Sequence, residues 1–307
     1  MNATIAQLRH FIALAESGSF TRAADHTRRS QAAFSRSISV LESTLGGELV
    51  ERVGRGNKLT LMGRMVLAHA RQVVAQVDEL HQVALHHVSG HAGQIRIGLG
   101  PTPSALLSQP LLHFARTYPA GMRIRITRGP REQQLLALRN RQVDALVTDL
   151  RSIPLADSDL VVKEVAEMPL GAVCHSAHPL TQKLQPNLPD LLTYPIASTA
   201  MTDLFAKQLV ARFGPTVHPD VSVSLESEDL PELLQAVCDS NAVYIGVLAP
   251  ARSLIQQGQL VVLPFASEGL TSRIAWVQRK EHAPNPALDE IRTLVCAELV
   301  VQANFIE

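Results

Sequence analysis

Apolar residues recur at helical spacing in two segments near the N-terminus, and a shorter helix fits between them. The first helix is predicted from about Thr4 to Ser17, and the third from Gln31 to Leu45. Ser19 and Ser30 stand where the N-cap residues of the second and third helices belong. The apolar positions that predict the buried face of the third helix are Phe34, Ile38, Leu41 and Leu45. The pattern therefore predicts a helix-turn-helix preceded by one further helix.

The opposite face of the third helix is polar and carries no acidic residue before Glu42. Its amide, hydroxyl and guanidinium groups are those that hydrogen-bond to base edges in the DNA major groove. We predict DNA contacts from the start of this helix and from the turn before it, at Arg28, Arg29, Ser30, Gln31, Ala32, Ser35, Arg36 and Ser39. The alternative is a small helical subdomain with a solvated face, because many helical hairpins share this pattern.

The segment after the third helix predicts a two-stranded hairpin. Gly54, Gly56 and Asn57 supply residues that favour a tight turn within residues 49–60. Basic side chains on a hairpin beside a helix-turn-helix are placed to contact phosphates or the neighbouring minor groove. The basic residues predicted to do so are Arg52, Arg55 and Lys58.

A single long helical pattern without proline follows, over about residues 61–87. Its apolar positions alternate spacings of four and three, which is the heptad pattern of a helix that pairs with another helix. The predicted dimerisation positions are Val66, Ala70, Val73, Val77 and Leu80. The expected partner is the same helix of a second chain, and the alternative is packing against the chain's own domain.

From Gln94 to the end of the chain, short apolar strands alternate with helical segments. This alternation predicts an α/β body with mostly parallel strands, divided into two α/β halves. A linker with two glycines, residues 89–94, separates the body from the long helix. The fold class is therefore α/β with an α-rich N-terminal head.

Charge and composition predict the class of partner and the cellular compartment. The chain has 307 residues with 28 basic and 28 acidic side chains, but its first 64 residues hold nine basic and five acidic ones. A basic head on a slightly acidic body is typical of nucleic-acid-binding proteins, although chance asymmetry is the alternative. The N-terminus has no signal-peptide pattern, no segment is a membrane span, and three dispersed cysteines indicate a reducing compartment. We therefore expect a cytoplasmic protein with no membrane partner.

The sequence lacks the patterns of an enzyme or a metal site. Cys174 and His175 are adjacent on a predicted strand, so their side chains point to opposite faces and cannot act as a pair. No GxSxG, HExxH, phosphate-loop or dinucleotide-binding motif is present. Four histidines cluster near the linker, at 81, 86, 87 and 91, but the last two straddle Gly90 at the helix end, which favours plain exposed histidines over a metal site. We predict no catalytic residue, no metal and no cofactor other than a small-molecule effector.

Three segments of the head resemble the LysR-type transcriptional regulator family in order and spacing: LRHFIALAESGSFTRAA, SQAAFSRSISVLESTLGGELVER and LTLMG. The body is similar to that family in layout more than in residues. The resemblance implies a winged helix-turn-helix over 1–60, a dimerisation helix over 61–91, and an effector-binding domain over 92–307. It implies a body like periplasmic solute-binding proteins, with one half formed by 92–162 and 267–307 and the other by 163–266. Two crossing strands are expected near 160–165 and 265–268.

The resemblance also implies partners, namely double-stranded DNA, a second copy of the chain in a dimer or dimer of dimers, and RNA polymerase. In open α/β sheets a ligand lies beyond the carboxyl ends of the strands, and hydroxyls with free helix N–H groups favour an anion. We predict a small organic anion as effector, bound by Pro101, Thr102, Ser104, Thr127, Arg128, Asp149, Ser198, Thr199, Met201, Ser227 and Gly246.

Two alternatives remain for the body. The hydroxyl residues at the strand ends are also suited to ordinary helix caps. A redox-sensing regulator of the same fold would use Cys174 and Cys238, if the fold brings these two side chains together. A free-standing solute-binding protein is not favoured, because it would need export, for which no signal-peptide pattern is present, and would not need the DNA-binding head.

Overall fold

The computed structural model describes residues 2–53, 56–89, 93–119, 121–153, 159–264, 269–281 and 285–304, with backbone only at 52–53, 56, 79 and 81–89. The chain divides into two compact units. The first runs to Gly93 and takes in Arg139–Gln142, and the second comprises Gln94–Leu138 and the chain from Val143. No helix among the described residues is both long and apolar enough to cross a membrane.

The first unit contains four helices and a hairpin. Its elements are α1 (Ile5–Ser17), α2 (Phe20–His26), α3 (Gln31–Leu45), β1 (Val50–Val53), β2 (Gly56–Leu59) and α4 (Leu61–Ser89). Thr4 begins α1 with a capping box, and Gly18 and Gly46 end α1 and α3 in the left-handed conformation. The predicted bounds of α3 are confirmed, and β1 pairs with β2 in an antiparallel hairpin.

The head core lies between α1, α2, α3 and the start of α4. Phe11 and Phe34 are fully buried within it, and Phe20 meets the Phe34 ring edge-on with centroids 6.2 Å apart. Ala23 and Ala24 are also buried, so the short side chains of α2 let the neighbouring helices approach. The apolar periodicity therefore identified the core-facing side of α3 at Phe34, Ile38 and Leu41, whereas Leu45, the fourth predicted position, is exposed at the end of the helix.

The first part of α4 belongs to this head core, which narrows the predicted dimerisation seam at one position. Ala70 is only 2% exposed, and Val66 packs against the same cluster while staying half-buried. Ion pairs of Arg9 with Asp78 and of Arg71 with Glu16 also hold α4 to α1. Ala70 is thus covered by its own chain, and Val66 stays a predicted dimerisation residue.

The second unit is a nine-stranded sheet flanked by helices. Its strands are β3 (Gln94–Leu99), β4 (Arg123–Thr127), β5 (Ala145–Asp149), β6 (Leu160–His175), β7 (Ile196–Ser198), β8 (Val223–Glu226), β9 (Val243–Val247), β10 (Leu260–Leu263) and β11 (Thr271–Arg279). Its helices are α5 (Pro101–Thr117), α6 (Arg131–Arg139), α7 (Leu188–Leu191), α8 (Asp203–Phe213), α9 (Pro219–Ser222), α10 (Leu230–Cys238), α11 (Arg252–Gln256) and α12 (Pro286–Ala303).

The strand order is β4-β3-β5-β11-β6-β9-β7-β8, with β10 also paired to β6. β3 is parallel to β4 and β5, and β7 is parallel to β8 and β9. All pairings of β6 and β11 are antiparallel. The prediction of mostly parallel strands was therefore wrong, because two long central strands run against their neighbours.

The predicted first crossing, 160–165, falls on the start of β6. β6 pairs with β11 from Leu160 to Pro169, and its pairing with β9 begins at Leu170. One uninterrupted strand therefore runs through both halves, and its partner changes after Pro169. The second predicted crossing, 265–268, lies outside the described residues.

Candidate functional site

The predicted recognition surface is solvent-exposed around the start of α3. The exposed residues are Arg28, Arg29, Ser30, Gln31, Ala32, Ser35, Arg36 and Ser39. The Ser30 hydroxyl caps the helix by accepting a hydrogen bond from the Ala33 N–H at 3.3 Å. The helix buries Phe34 and Ile38 on its other side, so its polar face is held outward. On the hairpin, Lys58 is exposed, while the Arg52 side chain and Arg55 lie outside the described residues.

The turn between α2 and α3 is built on an arginine where a glycine is usual. Arg28 has a φ of 53°, its N–H donates to the Asp25 carbonyl at 3.1 Å, and the Arg29 N–H donates to the Ala24 carbonyl at 2.9 Å. These two bonds form the glycine-type helix end known as the Schellman motif. A left-handed arginine costs about 1 kcal/mol or more, so a basic side chain is held here against the backbone's preference.

Glu42 joins the recognition helix to the hairpin, a role that the sequence analysis missed. One of its carboxylate oxygens accepts hydrogen bonds from the Leu49 N–H at 2.8 Å and the Val50 N–H at 3.3 Å. β1 begins at Val50, so the position of the hairpin depends on this side chain of α3. The only sequence signal was an acidic residue on an otherwise non-acidic helix face.

The linker helix exposes apolar side chains beyond the segment that packs in the head core. Leu61, Met65, Val73 and Leu80 are 69%, 63%, 39% and 66% exposed, and Val77 between the last two is half-buried. Spacings of four and three place Val73, Val77 and Leu80 on the stripe that Val66 and Ala70 begin. Leu61 and Met65 lie roughly 100° around the helix from this stripe, so the heptad pattern did not include them.

The body contains a cavity between its two halves, with a volume of about 160 Å³. The predicted effector residues that line it are Pro101, Thr102, Asp149, Ser198, Thr199, Met201 and Gly246. These residues follow or border β3, β5, β7 and β9, so the structure brings several predicted strand ends together. The location agrees with ligand clefts at the carboxyl ends of strands in α/β proteins.

Four predicted effector residues do not line this cavity. Arg128 donates to Asp229 at 3.5 Å, and the Ser227 hydroxyl accepts from the Asp229 N–H at 3.1 Å. Ser104 is buried in α5, and Thr127 lies on β4, which is the outermost strand of the sheet. Proximity to a strand end in sequence does not say which strand ends adjoin the second half, so these four residues stay predictions that this cavity does not support.

The carboxylate of Asp149 forms the polar centre of the cavity wall. Arg151 donates to its two oxygens at 2.9 and 2.6 Å, and the Ser272 hydroxyl donates at 2.6 Å. Burial raises the pKa of Asp149, but these hydrogen bonds outweigh burial and hold the pKa below its ordinary value. Asp149 is thus an ionised, fully engaged acceptor, and it does not repel an anion as a lone carboxylate would.

The hydroxyls and helix ends of the cavity offer fewer donors than the sequence suggested. The Ser198 hydroxyl donates to the Ile245 carbonyl at 2.9 Å, so this hydroxyl proton is not available to a ligand. α5 begins with Pro101 and has Pro103 two residues later, and neither proline has an N–H. The remaining candidate donors are the Thr102 hydroxyl and N–H, the hydroxyls of Thr148, Ser152 and Thr199, and Arg131 at the exposed rim.

The two cysteines of the redox hypothesis lie on opposite faces of the sheet. Cys174 is fully buried in a cluster with Leu180 and Leu191, whereas Cys238 packs against the cluster around Leu234. Burial raises the pKa of the Cys174 thiol to about 11, and burial with the neighbouring Asp239 raises that of Cys238. Both are therefore protonated, weakly reactive thiols, and the sheet separates them.

A search for metal ligands among the described residues gives no group of three or more histidine, cysteine or acidic side chains. The side chains of the histidine cluster near the linker, at 81, 86, 87 and 91, lie outside the described residues. The described part of the cavity wall instead combines apolar side chains with a few hydrogen-bonding groups, which is the usual composition of a small-molecule site.

Comparisons with known proteins agree with this geometry. A family model of the bacterial regulatory helix-turn-helix of the LysR family matches residues 5–64, and a model of the LysR substrate-binding domain matches residues 89–299. The SDS degradation transcriptional activation protein of Pseudomonas sp. (strain ATCC 19151) is 32% identical over 297 residues, covering 95% of each chain.

Two further similarities concern part of the chain and its fold. A probable hydrogen peroxide-inducible genes activator of Mycobacterium xenopi is 34% identical over 188 residues, covering 59% of this chain and 94% of that protein. The crystal structure of CbnR, a LysR family transcriptional regulator, has a TM-score of 0.67 at 20% identity and covers 96% of this chain and 99% of CbnR. With its helix-turn-helix head and cleft-bearing body, the chain belongs to the LysR family of transcriptional regulators.

Proposed function

We propose that this DNA-binding regulator acts in the cytoplasm as a homo-oligomer that reads a dyad-symmetric operator, contacts RNA polymerase and responds to a small organic anion. Its proposed regions are a winged helix-turn-helix at 1–60, an assembly helix at 61–91 and an effector-binding domain at 92–307. The observation that carries the DNA-binding part is the exposed polar start of α3, where Gln31 and Arg36 project from a helix whose other side is buried.

The proposed DNA contacts fall into two groups. Gln31 is suited to pair with adenine and Arg36 with guanine, because their side chains present two hydrogen-bonding groups in one plane. Ser35 and Ser39 add single hydrogen bonds. The basic residues that surround this face would contact phosphates, which positions the helix without reading sequence. They are Arg28, Arg29, Arg52, Arg55 and Lys58.

The proposed assembly surface is the exposed part of the predicted seam on α4. Val73, Val77 and Leu80 form it, beyond the part of the seam that is buried in the head at Ala70. A row of exposed large apolar side chains on one helix favours a helix partner, and an identical helix related by a two-fold axis presents the same row. Two heads related by such an axis match two operator half-sites.

The charges of the cavity favour an anionic effector. Its charged lining side chains are Arg131, Arg151 and Asp149, of which the last two neutralise each other. Arg131 makes no ion pair within the part of the chain that the structure describes, so its charge is available at the rim. We propose Arg131, rather than Arg128, as the cationic partner of the effector.

The redox alternative finds less support from this chain's own cysteines. One relative is named as a probable hydrogen peroxide-inducible genes activator, but the similarity covers only 59% of this chain. Cys174 and Cys238 lie on opposite sheet faces, and a disulfide requires their Cα atoms within about 7 Å. Oxidation would therefore have to unfold this half of the body before the two thiols could join.

The test uses full-length protein in two steps. Genomic DNA fragments captured by the protein supply an operator, and thermal shifts with carboxylates, sulfonates and neutral metabolites supply ligands. We expect a stabilising anion whose effect is lost in Thr102→Val and Arg131→Gln and is kept in the matched control Arg128→Gln. A stabilising ligand that is neutral or cationic, or an effect that survives both cavity changes, would contradict the proposed anion site.

A further inference from the structure

The inner face of α8 is packed against a cavity instead of against a core. Phe205, Leu209 and Phe213 recur every four residues along this helix, so they share one face, and all three line the cavity. Phe205 is only 9% exposed, yet it belongs to none of the hydrophobic core clusters that the described residues form. A helix usually buries such a face in a close-packed core, because packing recovers dispersion contacts that an empty space forfeits.

Most other side chains that the second half of the body contributes to the cavity are apolar as well, namely Leu188, Leu192, Ile196, Val217, Val223 and Ile245. The hydroxyls of Ser198 and Ser222 also line it, but they donate to the carbonyls of Ile245 and Val217. No charged side chain lines this end within the described part of the chain. We call this end the apolar chamber. The α8 side chains that line it cannot hydrogen-bond to a ligand, and it has no charged side chain with which a ligand could form an ion pair.

Most of the candidate donors for the acid group of a ligand lie at the other end of the same cavity. Thr102 at the start of α5 and Arg131 at the start of α6 belong to the first half of the body, whereas α8 belongs to the second. Arg151 marks the boundary, because its guanidinium is bound to Asp149 on one side and lies over the Phe205 ring on the other. The cavity is thus polar at one end and apolar at the other.

We propose that this cavity takes an amphipathic organic acid, whose apolar body fills the chamber against α8 while its acid group faces Thr102 and Arg131. The inference rests on the proposed function, which assigned the cavity to an anion without choosing among acids. The volume of about 160 Å³ is close to the roughly 150 Å³ of an engineered apolar cavity that binds benzene. Because the acid group takes up part of this volume, the apolar body is at most the size of one aromatic ring or a six-carbon chain.

This geometry makes a quantitative prediction about chain length. Each methylene moved from water into an apolar site tightens binding about fourfold, until the space is filled. Affinity for the straight-chain acids should therefore rise from acetate through butanoate to hexanoate and level off beyond it. Phenylacetate should bind at least as tightly as hexanoate, while succinate and citrate, which would place a second charge in the chamber, should bind weakly.

The experiment is calorimetric titration of the full-length protein with these named acids and with benzyl alcohol as the uncharged analogue of phenylacetate. The chamber is filled by Leu209→Phe and weakened by Leu209→Ala. The matched control is Leu204→Phe, because Leu204 lies on the same helix and is 54% exposed. We expect Leu209→Phe to weaken phenylacetate and hexanoate at least tenfold, to leave acetate within about twofold, and Leu204→Phe to change none of them.

The possible results separate the two proposals. If the affinity of the acids does not depend on chain length, or is unchanged in both Leu209 variants, the amphipathic ligand is contradicted. The proposed anion site is not contradicted by either result. Benzyl alcohol bound as tightly as phenylacetate would support the chamber and overturn the anion site. If Leu209→Phe fails to fold, Leu209→Ala still decides, since loss of wall contacts should weaken phenylacetate several-fold and spare acetate. Failure of every acid to bind would reject both proposals.

Discussion

The guanidinium carbon of Arg151 lies 4.4 Å from the centroid of the Phe205 ring. Arg151 follows β5 in the first half of the body, and Phe205 lies on α8 in the second, so the contact spans the cleft. The Asp149 carboxylate holds the same guanidinium through two hydrogen bonds. A change in the angle between the halves must therefore break this stacking or carry Arg151 away from Asp149.

Replacing Asp149 by Asn should remove an acid-sensitive contribution to the stability of the body. Burial alone would raise the pKa of Asp149. Hydrogen bonds from Arg151 and Ser272 lower the pKa by more than burial raises it, so it lies below the ordinary value of 3.8. The stabilisation is therefore fully present above about pH 3.8 and is lost as the pH falls through the pKa of the folded state. Unfolding midpoints of the wild type and Asp149→Asn should differ at pH 7 and converge near pH 3. A constant difference, equal to that of the exposed control Glu226→Gln, would contradict this role.

The start of α3 should carry sequence preference for DNA. Gln31→Ala is expected to cost about 1–3 kcal/mol on the captured operator and little on random duplex, since a base contact is lost and phosphate contacts remain. Equilibrium titrations monitored by fluorescence anisotropy on both duplexes measure the difference. Ser43→Ala, at an exposed position nearer the other end of α3, is the matched control. Unchanged preference in Gln31→Ala would show that another element reads the bases.

Arg28 should separate DNA affinity from head stability. Arg28→Gly keeps the left-handed turn and relieves its side-chain strain, so the head should unfold within about 1 kcal/mol of the wild type. The same change should weaken operator and random DNA alike and flatten the salt dependence by about one phosphate contact. Arg28→Val, which is β-branched, should destabilise the head as well. Equal stability of the Gly and Val variants would contradict the observed turn.

The exposed part of the α4 seam should hold the oligomer, and its buried part nearer the start of the helix should hold the head. Val73→Asp with Val77→Asp should dissociate the protein, because opposed carboxylates would face each other in a desolvated contact. Ala70→Asp should instead unfold the head, since Ala70 is 2% exposed within one chain. Light scattering gives the mass and circular dichroism the fold. If the double variant keeps the wild-type mass, the residues that hold the oligomer lie in the body and not on α4.

His10 should make the head less stable in mild acid. Burial and the nearby Arg29 charge lower the pKa of His10 from its ordinary 6.5, and the ring nitrogen lies 2.7 Å from the Ser37 hydroxyl. A lowered histidine pKa favours the neutral ring in the folded state, so its contribution is complete above pH 6.5 and declines as the pH falls below that value. His10→Gln should remove this decline in thermal unfolding between pH 7.5 and 5. An unchanged slope would assign the decline to other groups.

Short-range patterns predicted the head, and long-range pairing limited the prediction of the body. The bounds of α3 and the cap at Ser30 follow from residues within one helix turn of each other. The antiparallel pairing of β6 with β11 joins strands about a hundred residues apart in the chain. The ion pair of Arg128 with Asp229 likewise depends on a partner about a hundred residues away. The assignment of Ala70 to a dimer failed for a related reason: a heptad pattern identifies an apolar stripe, but not which surface covers it.

The single strand that serves both halves of the body restricts how this protein can be dissected. A fragment cut at the predicted border near residue 163 would divide β6 within its pairing to β11. The remaining part of the first half would then present β11, with Ile274 and Trp276, as an unpaired strand edge of the kind that drives aggregation. Expression of the isolated second half should start no earlier than Leu170, and the first half has to be made by joining its two segments and keeping β6 as far as Pro169.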